Sequence, residues 1–146
     1  MENLAIEILL VEDNRNDAEL TTRALIKNKI ANNITHLKDG SLALDFLFGK
    51  GEYLGRDLKY KPKLILLDLK MPKVDGLEVL KKIKEDSETK IIPVVMLTSS
   101  KEHPDIEKAY ALGANSYIVK PVDFDGFVNA IKEIGLYWLL LNQHPL

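Results

Sequence analysis

Cysteine is absent from all 146 residues, which removes disulfides, thiolate metal sites and cysteine nucleophiles together and fits a reducing compartment. Charge of one sign is also lacking: 20 Lys+Arg against 22 Asp+Glu leave a formal net charge of −2. A nucleic-acid footprint or a membrane-surface protein would need a basic excess, so the expected partner is protein. Long apolar runs are missing too, since the longest, Leu136 to Leu141, is far below the ~18 residues of a spanning helix. Met1 to Ile8 carries Glu2 and Glu7 and has no basic n-region of a signal peptide. These absences predict a cytoplasmic protein with no membrane and no nucleic acid among its partners. Histidine is scarce, and His36, His103 and His144 show no metal-ligand spacing.

What is present is an alternation of short apolar runs with helix-period segments. Ile8 to Val11, Asn33 to Leu37, Leu64 to Leu67, Val94 to Leu97 and Ser116 to Val119 read as strands. Between them lie helices: one capped at Asn16-Asp17, one entered through Asp39-Gly40-Ser41, one over Gly76 to Asp86, one over Asp105 to Leu112. The last begins near Asp123 and runs toward Leu140. In the third, Leu77, Leu80 and Ile83 point inward and Lys81, Lys82 and Lys84 outward. Five β-then-α units predict an α/β fold: a doubly wound five-stranded parallel sheet with helices on both faces. The flavodoxin-like strand order 2-1-3-4-5 is the simplest arrangement with right-handed crossovers. The length suits one domain, with a core over about residues 6–134, a C-terminal helix extension over about 135–146, and no output domain.

In that topology the ends of strands 1 and 3 lie side by side at the switch point, where ligands bind. Glu12, Asp13, Asp68, Thr98 and Lys120 all fall at carboxyl ends of strands. Singly each reads equally well as a cap, a turn residue or a solvated lysine. Together they make a site. Carboxylates crowded there repel by roughly 4 kcal/mol per pair at 4 Å and an effective dielectric near 20, so they call for a cation or a raised pKa. Mg²⁺ suits a site offering few carboxylates plus waters and a phosphate oxygen.

Val11-Glu12-Asp13, Asp68-Leu69-Lys70-Met71-Pro72 with Gly76, Thr98-Ser99-Ser100 and Tyr117-Ile118-Val119-Lys120-Pro121 resemble the motif set of response-regulator receivers, from about Ile8 to Ile134. The resemblance implies that Glu12 and Asp13 hold Mg²⁺, that Asp68 accepts a phosphoryl group and joins the ligands, and that the Lys70 backbone carbonyl is a further ligand. It implies that Thr98 hydrogen-bonds the phosphoryl oxygen, that Lys120 pairs with its charge, and that Tyr117 is a switch aromatic. The Lys120-Pro121 bond is expected to be cis. Lys70 and Ser100 hold variable positions that influence self-hydrolysis in this family. The donor would be a histidine kinase, the output a change on the α4-β5-α5 face that controls partner binding or dimerisation, and the chain a phosphoacceptor rather than a conventional enzyme. It would catalyse only its own phosphorylation and dephosphorylation.

Two segments exceed a minimal receiver. Gly49 to Lys63 is longer than the usual connection of roughly 2 to 6 residues, which suggests a helix extension with a docking loop. With Ile92-Pro93 and the Trp138-containing end, it makes the chain similar to small single-domain regulators of phytochrome-type kinases. Leu136 to Leu141 is apolar all round, so a homodimer through the C-terminal helix is expected. Its downstream protein is not named by any motif. Among rivals, an aspartyl-phosphate phosphohydrolase would need an acidic residue where Lys70 stands. A flavin protein would need a phosphate-cradling loop where Glu12 to Asn16 stand. A receiver-shaped scaffold acting without phosphorylation is the remaining alternative, although every reactive position is filled.

Overall fold

The structure, a computed structural model, describes residues 7–121 and 123–141. Five parallel strands, β1 (Ile8–Val11), β2 (Ile34–Leu37), β3 (Leu64–Leu67), β4 (Val94–Thr98) and β5 (Ser116–Val119), are ordered β2-β1-β3-β4-β5. Every residue of β1, β3 and β4 is buried, as expected of strands covered on both faces, whereas the edge strands β2 and β5 are partly exposed. Alternation sends Leu9, Val11, Ile65 and Leu67 to one face and Ile8, Leu10, Leu64 and Leu66 to the other. Helices α2 (Gly40–Phe48), α3 (Gly76–Glu85) and α4 (His103–Ala111) cover the first face; α1 (Arg15–Lys27) and α5 (Phe124–Gly135) cover the second. At ~1.5–3 kcal/mol per fully buried Leu or Ile, these two layers are the main source of stability.

Several boundaries differ from the sequence reading. Helix α1 is capped by Asn14, whose side chain accepts from Asp17 N, so Asn16 and Asp17 lie inside the helix. Helix α4 starts earlier than expected, because Pro104 fits a first turn that needs no N–H donor. Helix α5 ends at Gly135, and Leu136–Leu141 continues as a π-helical segment. There Trp138 and Leu139 pack against the core while Leu136, Tyr137, Leu140 and Leu141 are exposed.

Lys84 does not face open water. Its Nζ donates to Lys90 O (3.0 Å), Ile92 O (2.7 Å) and Asn115 Oδ1 (3.1 Å), and burial pushes its pKa down to about 8. Nor does α2 extend into the long connection. Gly49, left-handed at φ 67°, ends it, and a 3₁₀ turn at Gly51–Tyr53 follows. Arg56 then anchors the segment: its guanidinium donates to Phe46 O (2.7 Å) and Tyr60 O (3.1 Å) and lies 4.0 Å above the Phe46 ring. Among the described residues no helix is long and apolar enough to cross a membrane.

Candidate functional site

Backbone pairing brings the acidic residues together. Val11 is in register with Leu67, and Asp68 N donates to Val11 O at 3.0 Å, so the residues following β1 and β3 emerge side by side. Carboxylate oxygens of Glu12, Asp13 and Asp68 all lie within 4.8 Å of one another. Glu12 is 3 % exposed and Asp68 8 %, while Asp13 faces solvent. Burial pushes the Glu12 carboxyl up to about 7; the hydrogen bond from Lys120 opposes this and the charge of Asp68 adds to it.

Local hydrogen bonds fix which oxygens remain available. Asp68 Oδ1 accepts from Leu69 N (2.8 Å), leaving Oδ2 toward Lys120 Nζ at 3.9 Å. Glu12 Oε2 accepts from Asn14 N (3.1 Å), and Oε1 accepts from Lys120 Nζ (2.6 Å). The loop after β3 passes exposed Lys70 and left-handed Lys73 before it returns at Gly76, whose N donates to Leu69 O. A Cβ on Gly76 would collide with Asp68 O and stand 2.8 Å from Leu69 Cα, so only glycine lets the loop close on the aspartate.

Thr98 ends β4, is 2 % exposed, and accepts at Oγ1 from Ser100 N (3.3 Å). Lys120 N donates to Thr98 O (2.7 Å), which sets the lysine beside it. Tyr117 packs against the core and its hydroxyl donates to Ser100 O (2.8 Å). Thus Glu12, Asp13, Asp68, Thr98 and Lys120 converge, with Tyr117 one hydrogen bond beyond Thr98's loop. One expectation is corrected: no cis peptide bond occurs among the described residues, so Lys120-Pro121 is trans, the form X-Pro bonds generally favour by roughly 0.5–1 kcal/mol.

Asp17 reads as a cap in the sequence, and the structure gives it a place in the site as well. From the first turn of α1 its Oδ2 accepts from Lys120 Nζ at 2.9 Å. Its one legible signal was position: a helix that starts just after β1 turns its first-turn side chains over the strand end. Desolvation works against the Lys120 ammonium, but the hydrogen bonds to Asp17 and Glu12 outweigh it and raise its pKa.

The family model for the response regulator receiver domain matches residues 8–132. The chain is 44 % identical over 138 residues to the probable methanogenesis regulatory protein FilR2 of Methanothrix harundinacea, covering 94 % of this chain and 86 % of that one. It is 39 % identical over 132 residues to response regulator Rcp1 of Synechocystis, covering 90 % and 88 %. A Mn²⁺-bound crystal structure of Rcp1 superposes with a TM-score of 0.89 at 38 % identity, over 97 % of this chain and 99 % of that one. The phosphorylated cyanobacterial phytochrome response regulator RcpA superposes with a TM-score of 0.90 at 38 % identity, with the same coverage. With the strand order, the acidic cluster and these matches agreeing, the chain belongs to the response-regulator receiver domain family and is a two-component signalling protein.

Proposed function

We propose that Asp68 accepts a phosphoryl group from a phosphohistidine of a phytochrome-type histidine kinase, with Mg²⁺ held by Glu12, Asp13, Asp68 and the Lys70 carbonyl. The observation that carries this reading is the convergence of three carboxylates within 4.8 Å, with the Lys120 ammonium 3.9 Å from Asp68 Oδ2. The donor set fits a hard divalent ion, because it is all oxygen, crowded, and offset by a single ammonium among the described groups around it. When bound, Mg²⁺ supplies positive charge to the phosphoryl oxygens.

The remaining steps belong to the chain's own side chains. Asp68 Oδ2, the oxygen not occupied by Leu69 N, forms the new O–P bond as the donor's P–N bond breaks, and the donor imidazole keeps the electron pair. Lys120 neutralises the transferred group from one side, and the Thr98 hydroxyl donates to one of its oxygens. The same residues support self-phosphorylation from small donors and self-dephosphorylation. Charge gained at Asp68 is passed through Thr98 and Tyr117 to the face of α4, β5 and α5, which controls a downstream protein and pairing of two chains through Leu136–Leu141.

Intact-mass measurement after incubation with acetyl phosphate and Mg²⁺ tests the proposal. A gain of one phosphoryl group by the parent and none by Asp68→Asn supports it. Equal labelling of both, or labelling of neither, refutes Asp68 as acceptor.

A further inference from the structure

The helices differ at their first turns. In α1, α2, α3 and α5 the N-cap side chains of Asn14, Asp39, Asp75 and Asp123 each accept from a backbone N–H of the helix. Such a cap contributes of the order of a helix-fixing hydrogen bond, and its absence leaves first-turn donors to water or to other groups. Helix α4 has no such bond: Glu102 stands at its N-cap without accepting through its side chain. The helix is also lightly held to the core, with Ala109 its only buried residue.

Its start is held in another way. Ser100 Oγ donates to Asp105 Oδ2 at 2.6 Å, tying the loop after β4 to the first turn of α4. Glu102 N reaches the same hydroxyl at 3.4 Å. Ser100 is buried, its N donates to Thr98 Oγ1 at 3.3 Å, and its carbonyl receives the Tyr117 hydroxyl at 2.8 Å. One residue therefore bonds to Thr98, to α4 and to Tyr117. A hydrogen bond to a carboxylate is stronger than one between neutral groups, so the Ser100–Asp105 contact is the firmest of the set.

We infer that the Ser100–Asp105 hydrogen bond is a latch that fixes the β4–α4 loop in the arrangement that receives Tyr117. Asp105 is then a positioning residue for the switch, although it touches neither the acidic cluster nor the proposed phosphoryl group. The inference deepens the proposed function and rests on it only for the signalling consequence. The latch itself is built from Ser100 and Asp105 alone. Without it the Ser100 carbonyl loses its fixed place, and the Tyr117 hydroxyl must find it in a loop that moves.

The test uses the full chain with Ser100→Ala, Asp105→Ala, the double variant and Asp105→Asn. Without phosphodonor, hydrogen exchange at the Ile106 amide is expected to rise about tenfold in each single alanine variant. The double variant should exceed neither, because both remove the same bond. The Tyr117 ring resonances should shift in all three. With Mg²⁺ and beryllofluoride as the phosphoryl mimic, half-saturation should move to about tenfold higher concentration, and Asp105→Asn, which keeps an acceptor oxygen, should restore most of the parent behaviour. Parent-like exchange and ring resonances in the single variants, or additive effects in the double, would overturn the latch. Failure of the parent to bind beryllofluoride would count against the Asp68 reading instead, since the exchange measurement does not involve it.

Discussion

Lys120 Nζ lies 2.6 Å from Glu12 Oε1 and 3.9 Å from Asp68 Oδ2, so the ammonium rests on a proposed metal ligand rather than on the proposed acceptor. A divalent cation arriving at Glu12 competes with the lysine for the same oxygen. Lys120→Met should therefore tighten Mg²⁺ binding by roughly fivefold, as expected from removing about 1 kcal/mol of cation–cation repulsion in a hydrated site, while slowing phosphorylation. Calorimetric titration beside intact-mass kinetics checks both; weaker Mg²⁺ binding in the variant would contradict the competition.

The Glu12 carboxyl, pushed up to about 7 by burial, holds a proton in the folded metal-free chain that the unfolded chain releases near 4.5. Between those values the unfolded state binds fewer protons, so stability falls as pH rises from about 4.5 to 7. Glu12→Gln should flatten that slope in denaturant unfolding. The proton also competes with metal, so Mg²⁺ affinity should drop toward about tenfold per pH unit below 7 and level off above it.

Gly76→Ala should destabilise the chain by about 1–3 kcal/mol, because its Cβ meets backbone of Asp68 and Leu69 that cannot swing aside. The displaced strand end carries the proposed acceptor with it. Urea denaturation reads the loss, and slower phosphorylation at saturating Mg²⁺ should accompany it.

Lys84 predicts an effect at the opposite end of the strands, just before β4 and β5. Its folded pKa of about 8 is below the ordinary lysine value, so between about 8 and 10.4 the unfolded chain binds more protons and this group adds stability as pH climbs. Lys84→Met should abolish that rise. At neutral pH it should also cost about 1 kcal/mol, because the carbonyls of Lys90 and Ile92 lose their donor. Unfolding midpoints of both proteins across alkaline pH decide it.

Sedimentation of the chain with and without Mg²⁺ and acetyl phosphate checks the proposed pairing. Tyr137, Leu140 and Leu141 are 53 %, 60 % and 69 % exposed, a patch that association would cover. Polar replacements at Leu140 and Leu141, which face away from the core, should yield a monomer that still gains a phosphoryl group. A parent that sediments as a monomer in both conditions would contradict pairing.

The sheet was legible because β1, β3 and β4 are unbroken apolar runs and the site residues follow them directly. Period alone could not show that Lys84 curls back under the N-terminal end of β4, since a long lysine stem reaches acceptors brought there by Asn115, far along the chain. Asp17 was hidden for a related reason: its partner, Lys120, is remote in sequence and close only once β1, β3, β4 and β5 are laid side by side. The helical end after Gly135 was misjudged because an apolar hexamer carries no mark of a change in hydrogen-bond spacing.

The anchoring of the long connection by Arg56 has a practical use. Its tip holds Leu54 at 82 % exposure, next to Gly55, where an added Cβ would meet open space, while Phe46, Tyr53 and Tyr60 keep the base in place. Because the chain contains no cysteine, a thiol introduced at Leu54 would be the sole point of attachment for a dye or spin label. A reporter there would ride on a base held by Arg56 and next to Tyr53, which lines one cavity with Asp13, so its signal would report on the mouth of the acidic cluster from a steady point of attachment.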